Sequence, residues 1–99
     1  MRTITVAVKK PGESWKSKRI EDTLESCQQI VGGYIENFMT TASGIELFCN
    51  EEGKIFDLEP NVISPMGDVI VGPIFAVRSD DDGEFQSLTV EDLEKLGIK

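Results

Sequence analysis

The stretch Asp68-Val-Ile-Val-Gly-Pro-Ile-Phe-Ala-Val-Arg78 is the longest apolar run in the chain, and it carries charges only at its ends. β-Branched and aromatic side chains dominate it, which favours a strand over a helix. Both alternating sets of side chains are apolar, a pattern typical of a central strand that is covered on both faces. Because Pro73 cannot donate a hydrogen bond to a neighbouring strand, we expect a bulge or a kink at Gly72-Pro73.

Several shorter segments have the alternating or β-branched pattern of further strands. These segments are residues 3–8, 15–20, 34–40, 45–50, 54–58 and 85–88. Short turns separate three of them (34–40, 45–50 and 54–58), so we expect an antiparallel meander there. Residues 59–67 contain two prolines and a glycine, and we expect them to be irregular.

Two segments have the pattern of amphipathic helices. An apolar stripe at helical spacing predicts a helix over residues 21–31, which Gly32-Gly33 ends. Thr89 begins a second helix with a capping box formed with Asp92. The apolar face of this helix is predicted to consist of Val90, Leu93 and Leu96.

The order of these elements indicates an α+β fold in one domain covering residues 1–99. We expect a twisted, mainly antiparallel sheet of about 5–7 short strands with two helices packed on one side of it. Part of the sheet is expected to curl toward a barrel at the Gly72-Pro73 kink. A chain of 99 residues is long enough to bury one modest core.

Charge is distributed unevenly along the chain, whose net charge is −8. Residues 1–20 contain six basic side chains and one acid, whereas residues 21–99 contain seventeen acids and four bases. An acidic body repels a phosphate backbone, so we expect no direct binding to nucleic acid. The acidity either keeps a small domain soluble or imitates nucleic acid toward a basic partner.

Several classes of site are disfavoured by residues that the sequence lacks. There is no histidine, and Cys27 and Cys49 are isolated, which argues against a zinc site and places both thiols in the core. No glycine-rich phosphate loop is present, and a Ser–His or Cys–His pair is impossible. We therefore expect no cofactor, no metal and no catalysis. The strand-like start is unlike a signal peptide and no run could cross a membrane, which predicts a cytoplasmic protein.

Two acidic segments have the composition of turns. Asp80, Asp82 and Gly83 match part of a calcium-binding loop, but Arg78 and Thr89 stand where that loop needs acids. We therefore expect a solvated turn over residues 79–84. The second segment, residues 50–53, is likewise explained by turn formation, with its glycine at the position that favours positive φ.

Glu36, which has aromatic neighbours, and Trp15 can each be interpreted as a binding residue or as a structural one. Glu36 lies between Tyr34 and Phe38 on one side of a predicted strand, either in a pocket or as the polar member of a half-exposed strand. Trp15, the only tryptophan, lies among cations. It is either an anchor for a partner or a lid on the sheet edge.

Several motifs together resemble the family known as domain of unknown function DUF3846. These motifs are Val31-Gly-Gly-Tyr-Ile-Glu36, Cys49-Asn-Glu-Glu-Gly-Lys54, Leu58-x-Pro60-Asn61, Asp68-Val-Ile-Val-Gly-Pro73 and Gly83-Glu-Phe-x-Ser-Leu-Thr-x-Glu-Asp-Leu93. Their order and spacing cover nearly the whole chain, and residues 15–19 match least well. The resemblance implies a small accessory protein of bacteria, phages or mobile elements, and it supplies no catalytic residues.

The polar members of these motifs define a candidate binding site. If a site exists, we expect it where Tyr34, Glu36, Asn50, Glu51 and Asn61 converge at one end of the meander. The favoured function is a non-catalytic binding module for a host protein or a small polar ligand. One alternative is an acidic decoy that occupies a DNA-binding protein, as anti-restriction proteins do. Another is a carboxylate-dependent hydrolase, which needs two acids facing each other in a pocket.

Overall fold

The computed structural model describes residues 2–98 and confirms an α+β fold. Eight strands and two helices follow one another along the described chain. They are β1 (Thr3–Lys9), β2 (Lys16–Glu21), α1 (Leu24–Val31), β3 (Ile35–Thr40), β4 (Glu46–Asn50), β5 (Pro60–Ile63), β6 (Val69–Val71), β7 (Ile74–Ser79), β8 (Phe85–Gln86) and α2 (Val90–Lys95). None of the helices in this part of the chain is long and apolar enough to cross a bilayer.

Six of the strands form one antiparallel sheet, the main sheet. Its order is β2-β1-β7-β4-β3, with β8 paired to the end of β7. The path is open, because no pairing joins β2 to β3 among residues 2–98, so the main sheet does not close into a barrel. The other two strands, β5 and β6, form a separate second sheet, in which they pair only with each other as far as the structure describes the chain.

The run from residue 68 to residue 78 divides at Gly72-Pro73. Its second half is β7, which lies between β1 and β4 and is buried on both faces, as predicted. Its first half is β6, which leaves the main sheet, so the prediction of one continuous central strand is wrong for residues 69–71. Gly72 has a φ of +77°, which redirects the chain, and Pro73 has no N–H with which to continue a ladder.

The two helices lie on opposite faces of the main sheet. Phe75 and Val77 pack in a cluster with Cys27 and Val31 of α1. On the other face, Ala76 belongs to a cluster that Leu93 and Leu96 cover, together with other partly buried apolar side chains. The expectation that both helices cover one side is therefore wrong. Successive side chains of β7 point to opposite faces, and both sets are apolar, so each face needs a cover.

Both helices begin at a threonine cap, and α1 begins at Leu24 and not at residue 21 as predicted, because Glu21 ends β2. Thr23 caps α1 by accepting a hydrogen bond from the Ser26 N–H, and Gly32 ends that helix in the left-handed region. Thr89 and Asp92 form the predicted capping box of α2. Val90 does not contribute to the apolar face, since 73% of it is exposed.

An ion pair that the sequence does not indicate joins α2 to the main sheet. The guanidinium of Arg78 in β7 donates from Nε and Nη2 to the carboxylate of Asp92, at 2.6 and 2.7 Å. Asp92 is 1% exposed, and the hydrogen bonds from Arg78 hold the pKa of Asp92 well below its ordinary value. This two-point contact fixes α2 against the end of β7.

Two further segments differ from expectation. Residues 54–58 are not a strand: the 51–57 segment is a series of turns, in which Ile55 and Phe56 both donate their N–H groups to the Glu52 carbonyl. The meander is therefore only the β3–β4 hairpin. Residues 59–67 are not irregular throughout, because Pro60 begins β5. Proline is accepted at the first residue of a strand, where its missing N–H need not be paired.

Candidate functional site

Asn50 ends β4 and is buried in the structure. Its Nδ2 donates to the Val31 carbonyl at the end of α1 (3.1 Å), and its Oδ1 accepts from the Glu52 N–H (2.7 Å). A Cβ on Gly33 would lie 2.9 Å from Asn50 Nδ2, so glycine is needed for this close approach. Asn50 therefore connects α1, β4 and the turn that follows, and its polar atoms are already used.

Asn61 has a similar connecting role in β5. Its Nδ2 donates to the carbonyls of Lys9 and Gly72, both at 2.8 Å, and its Oδ1 accepts from Lys9 Nζ at 2.6 Å. These bonds tie the second sheet to the end of β1. The predicted convergence of Asn61 with Glu36, Asn50 and Glu51 does not occur, because Asn61 lines a different depression, with Pro60 and Ile63.

Three of the predicted residues do meet, in an open groove of about 240 Å³ that we call the acidic groove. Glu36 comes from β3, Asn50 from the end of β4, and Glu51 from the turn that follows it. The groove separates this turn from β6. Its lining consists of Glu36, residues 49–55 and residues 68–71.

Tyr34 and Trp15 lie outside the acidic groove. The Tyr34 side chain is 63% exposed, and its carbonyl accepts the Glu51 N–H at 2.8 Å, so its backbone positions the turn. Trp15 is half-buried and packs against the apolar cluster on the α2 face. That packing favours the interpretation of Trp15 as a lid on the sheet edge.

The acidic groove contains charged residues that the sequence did not mark as candidates. Glu52, Lys54 and Asp68 line it together with Glu36 and Glu51. Lys54 was missed because residues 54–58 have the pattern of a strand. Asp68 was missed because it begins a run whose apolar composition predicts burial. The sequence feature that could have indicated the exposure of Asp68 was Gly72-Pro73, because it separates that run into two elements.

Among the described residues that line this groove, acidic side chains outnumber basic ones four to one, and Lys54 is the single cation. Glu36, Glu51 and Asp68 are exposed, and Glu52 is half-buried. These carboxylates therefore remain in contact with water, which suits the attraction of a cation more than acid–base chemistry. A general acid needs burial or a like charge to raise its pKa.

Both cysteines are buried free thiols, as predicted. Burial raises the pKa of Cys49, which lines the acidic groove, to about 11; the Glu36 carboxylate adds to the shift, and Lys54 opposes it. Burial, with a smaller effect of Asp22, raises the pKa of Cys27 to about 11 as well. Neither thiol has the lowered pKa that a nucleophilic cysteine requires.

In the second acidic turn, residues 79–84, the Asp80 carboxylate already accepts hydrogen bonds from nearby groups of the chain. Asp80 Oδ1 accepts the N–H groups of Asp82 (2.9 Å) and Glu84 (3.0 Å), and Oδ2 accepts from the Gln86 side chain. These bonds, led by that from Glu84, lower the pKa of Asp80. The segment is the predicted turn, and within residues 2–98 there is no group of three or more His, Cys, Asp or Glu side chains placed to hold a metal ion.

The family suggested by the sequence motifs is confirmed by comparison with known proteins. No curated protein and no solved structure matches the chain. The family model described as "Domain of unknown function (DUF3846)" matches residues 3–98. Since this match covers nearly all of the sequence, the chain belongs to the DUF3846 family.

Proposed function

We propose that the protein is a non-catalytic binding module that takes a cationic segment of a host protein in the acidic groove. The observation that carries this proposal is the lining of the groove, to which the described residues contribute four carboxylates and one lysine. Apolar side chains stand beside them, since Ile55 is 77% exposed and Val69 40% exposed. A surface that is both acidic and apolar is complementary to a segment that is both basic and apolar.

A protein partner is favoured over a small polar ligand. Pockets for small molecules have volumes of about 300–1,000 Å³ and enclose most of the ligand. The acidic groove holds about 240 Å³ and is partly open to solvent. An open groove contacts one side of a ligand only, which is sufficient for a peptide segment that continues beyond it.

The two alternative functions have less support. A hydrolase would need an acid kept protonated by its surroundings, and the groove carboxylates are exposed or half-buried. The one fully buried carboxylate of the described chain, Asp92, is occupied by Arg78. An acidic decoy would also bind a basic protein, but duplex DNA would then compete for that protein.

The proposal is tested by affinity purification from the host with two variants of equal charge change. E51Q/E52Q removes two charges from the groove, and E91Q/E94Q removes two from the exposed surface of α2. We expect a basic partner that the control variant retains and the groove variant loses. Binding should weaken with salt, because exposed charges are screened within about 8 Å at physiological ionic strength. Equal retention by both variants would contradict the proposal.

We further propose, from the family resemblance, that this binding takes place in the cytoplasm and that the gene is carried by phages or mobile elements. This context would be supported if the genes next to this one belong to phages or mobile elements. Duplex DNA added during the purification identifies the decoy alternative, since it would release a DNA-binding partner from the groove.

A further inference from the structure

The strand β6 has one edge without a partner. Its other edge pairs with β5, and within residues 2–98 the second sheet contains only these two strands. No hydrogen bond from another element reaches the backbone of residues 69–71 in the described part of the chain. An isolated pair of strands is marginally stable in water, and a free edge is a template for another strand.

The acidic groove follows this free edge. Four consecutive residues, 68–71, line the groove. A sheet face presents only every second side chain, whereas an edge presents each residue in turn. The groove is therefore bounded by the edge of β6, opposite the turn that contains Glu51 and Glu52. Gly53 of that turn lies against the Val71 end of the edge, since a Cβ there would be 3.4 Å from the Val71 carbonyl oxygen, so the Val69 end is the open part.

The register shows which backbone groups point into the open edge. Ser64 donates its N–H to the Asp68 carbonyl at 2.8 Å, so these two residues form a hydrogen-bonded pair. Hydrogen-bonded and non-hydrogen-bonded pairs alternate in an antiparallel ladder. The pair Ile63–Val69 is the next one along, so the N–H and C=O of Val69 point away from β5 and toward the open edge.

We propose that an extended, basic and apolar segment of the partner protein adds to β6 as the third strand of the second sheet. This inference rests on the proposed function and specifies how the partner is held. Main-chain hydrogen bonds to Val69 supply affinity, while side chains that alternate between basic and apolar contact the carboxylates and Ile55. A second copy of the chain is a poor occupant, because each copy carries a net charge of −8.

The test uses a fluorescein-labelled nine-residue peptide in which lysine and valine alternate. A matched peptide carries N-methyl groups on alternate backbone amides, which removes the donors of one edge and keeps the charge. The peptide donates one main-chain hydrogen bond to the Val69 carbonyl, and losing a bond of about 1 kcal/mol should weaken binding about fivefold by fluorescence polarisation. Bound peptide should also slow hydrogen exchange of the Val69 amide.

A pair of protein variants tests the same contact from the other side. V69P removes the N–H that faces the groove and leaves the ladder to β5 intact. I63P removes the corresponding outward N–H on the opposite edge of the second sheet. We expect V69P to weaken peptide binding about fivefold, the equivalent of one hydrogen bond, and I63P to leave it unchanged. Circular dichroism checks that both variants fold.

The outcomes separate this inference from the proposed function. If the peptide binds and E51Q/E52Q weakens it, but N-methylation and V69P have no effect, the groove binds cations and strand addition is wrong. If the peptide does not bind, both proposals are wrong. If the Val69 amide becomes protected as the protein is concentrated without peptide, a second copy occupies the edge and the inference is overturned.

Discussion

Asp92 connects two elements through a single buried carboxylate. It accepts two hydrogen bonds from Arg78 in β7 and one from the N–H of Thr89 at the start of α2. Arg78 remains partly exposed, so its charge is hydrated on one side. A buried carboxylate with every oxygen bonded is stable only while these donors are present, since an unpaired buried charge is costly.

Replacing Asp92 by asparagine should therefore destabilise the protein strongly. We expect the free energy of unfolding in urea to fall by about 3 kcal/mol, because Arg78 loses its counter-charge and the capping box of α2 is weakened. The control is Glu91→Gln, which removes only the exposed pair with Lys95 and should change stability by less than about 0.5 kcal/mol. Similar losses in both variants would contradict a special role for Asp92.

Low pH should weaken the same contact between Arg78 and Asp92. Since the pKa of Asp92 is lower in the folded protein than its ordinary value of 3.8, the unfolded chain binds the proton first as pH falls. The stabilisation is complete above about pH 5 and decreases progressively below it. Urea titrations between pH 6 and pH 2 should show a steeper acid loss in the wild-type protein than in Asp92→Asn. Parallel curves would disprove the assignment.

Gly33 is required by contact with Asn50. A methyl group at position 33 would push against Asn50 Nδ2, 2.9 Å away, and disturb its bond to the Val31 carbonyl. We expect Gly33→Ala to cost about 1–3 kcal/mol in urea unfolding. The loss of unfolding free energy caused by Gly33→Ala should be smaller in a protein that also carries Asn50→Ser, because the shorter serine side chain leaves room for the methyl group. Equal cost in both backgrounds would show that the backbone, not Asn50, requires glycine.

At the level of elements, β6 and β7 differ although they are adjacent in sequence. β7 has a strand on each side and apolar clusters on both faces, whereas β6 has one partner strand and an exposed edge. Local stability follows burial and pairing, so adjacent strands can open with different free energies. The second sheet depends on the bonds of Asn61 for its attachment to β1.

Native-state hydrogen exchange should resolve this difference. Amides of Phe75, Ala76 and Val77 should exchange only on global unfolding, while the Val69 amide should exchange faster by about a hundredfold or more. Asn61→Ala should accelerate exchange in β5 and β6 and leave β7 unchanged. Equal protection of Val69 and Phe75 in the free protein would contradict the open edge.

At the scale of the whole molecule, the two buried thiols report on global opening. Cys27 and Cys49 lie in α1 and β4, and both have a pKa raised to about 11 by burial. At pH 8 only about one thiol in a thousand is ionised, and reaction requires the thiolate. We expect Ellman's reagent to label both slowly in the folded protein, rapidly in urea, and faster in Asp92→Asn.

The single-cysteine variants Cys27→Ser and Cys49→Ser assign the two rates. Labelling of Cys49 should accelerate as pH rises toward 11, since the thiolate fraction increases with pH below the pKa. If Cys49 alone reacted at the rate of an exposed thiol, the acidic groove would have to be open down to β4.

Much of this architecture follows from local chemistry that can be seen in the sequence. Gly32 and Thr89 mark helix ends because capping depends on residues within one turn. The strands of the main sheet show their alternating pattern because each has at least one buried face. Glu36 was marked both by the alternation of its strand and by the family motifs. Glu51 was found through the motifs, since an exposed turn has no periodicity that could identify it.

Other features depend on contacts between distant residues. An apolar run has the same pattern whether it is covered by helices or lies in a hairpin, so composition could not separate β6 from β7. The groove arises where the turn after β4 faces β6, and the Arg78–Asp92 pair forms where α2 returns to β7. Local pattern specifies the elements and their ends, since these depend on neighbouring residues. The packing of the chain in three dimensions decides which strands pair, which face of the sheet each helix covers and which edge stays open.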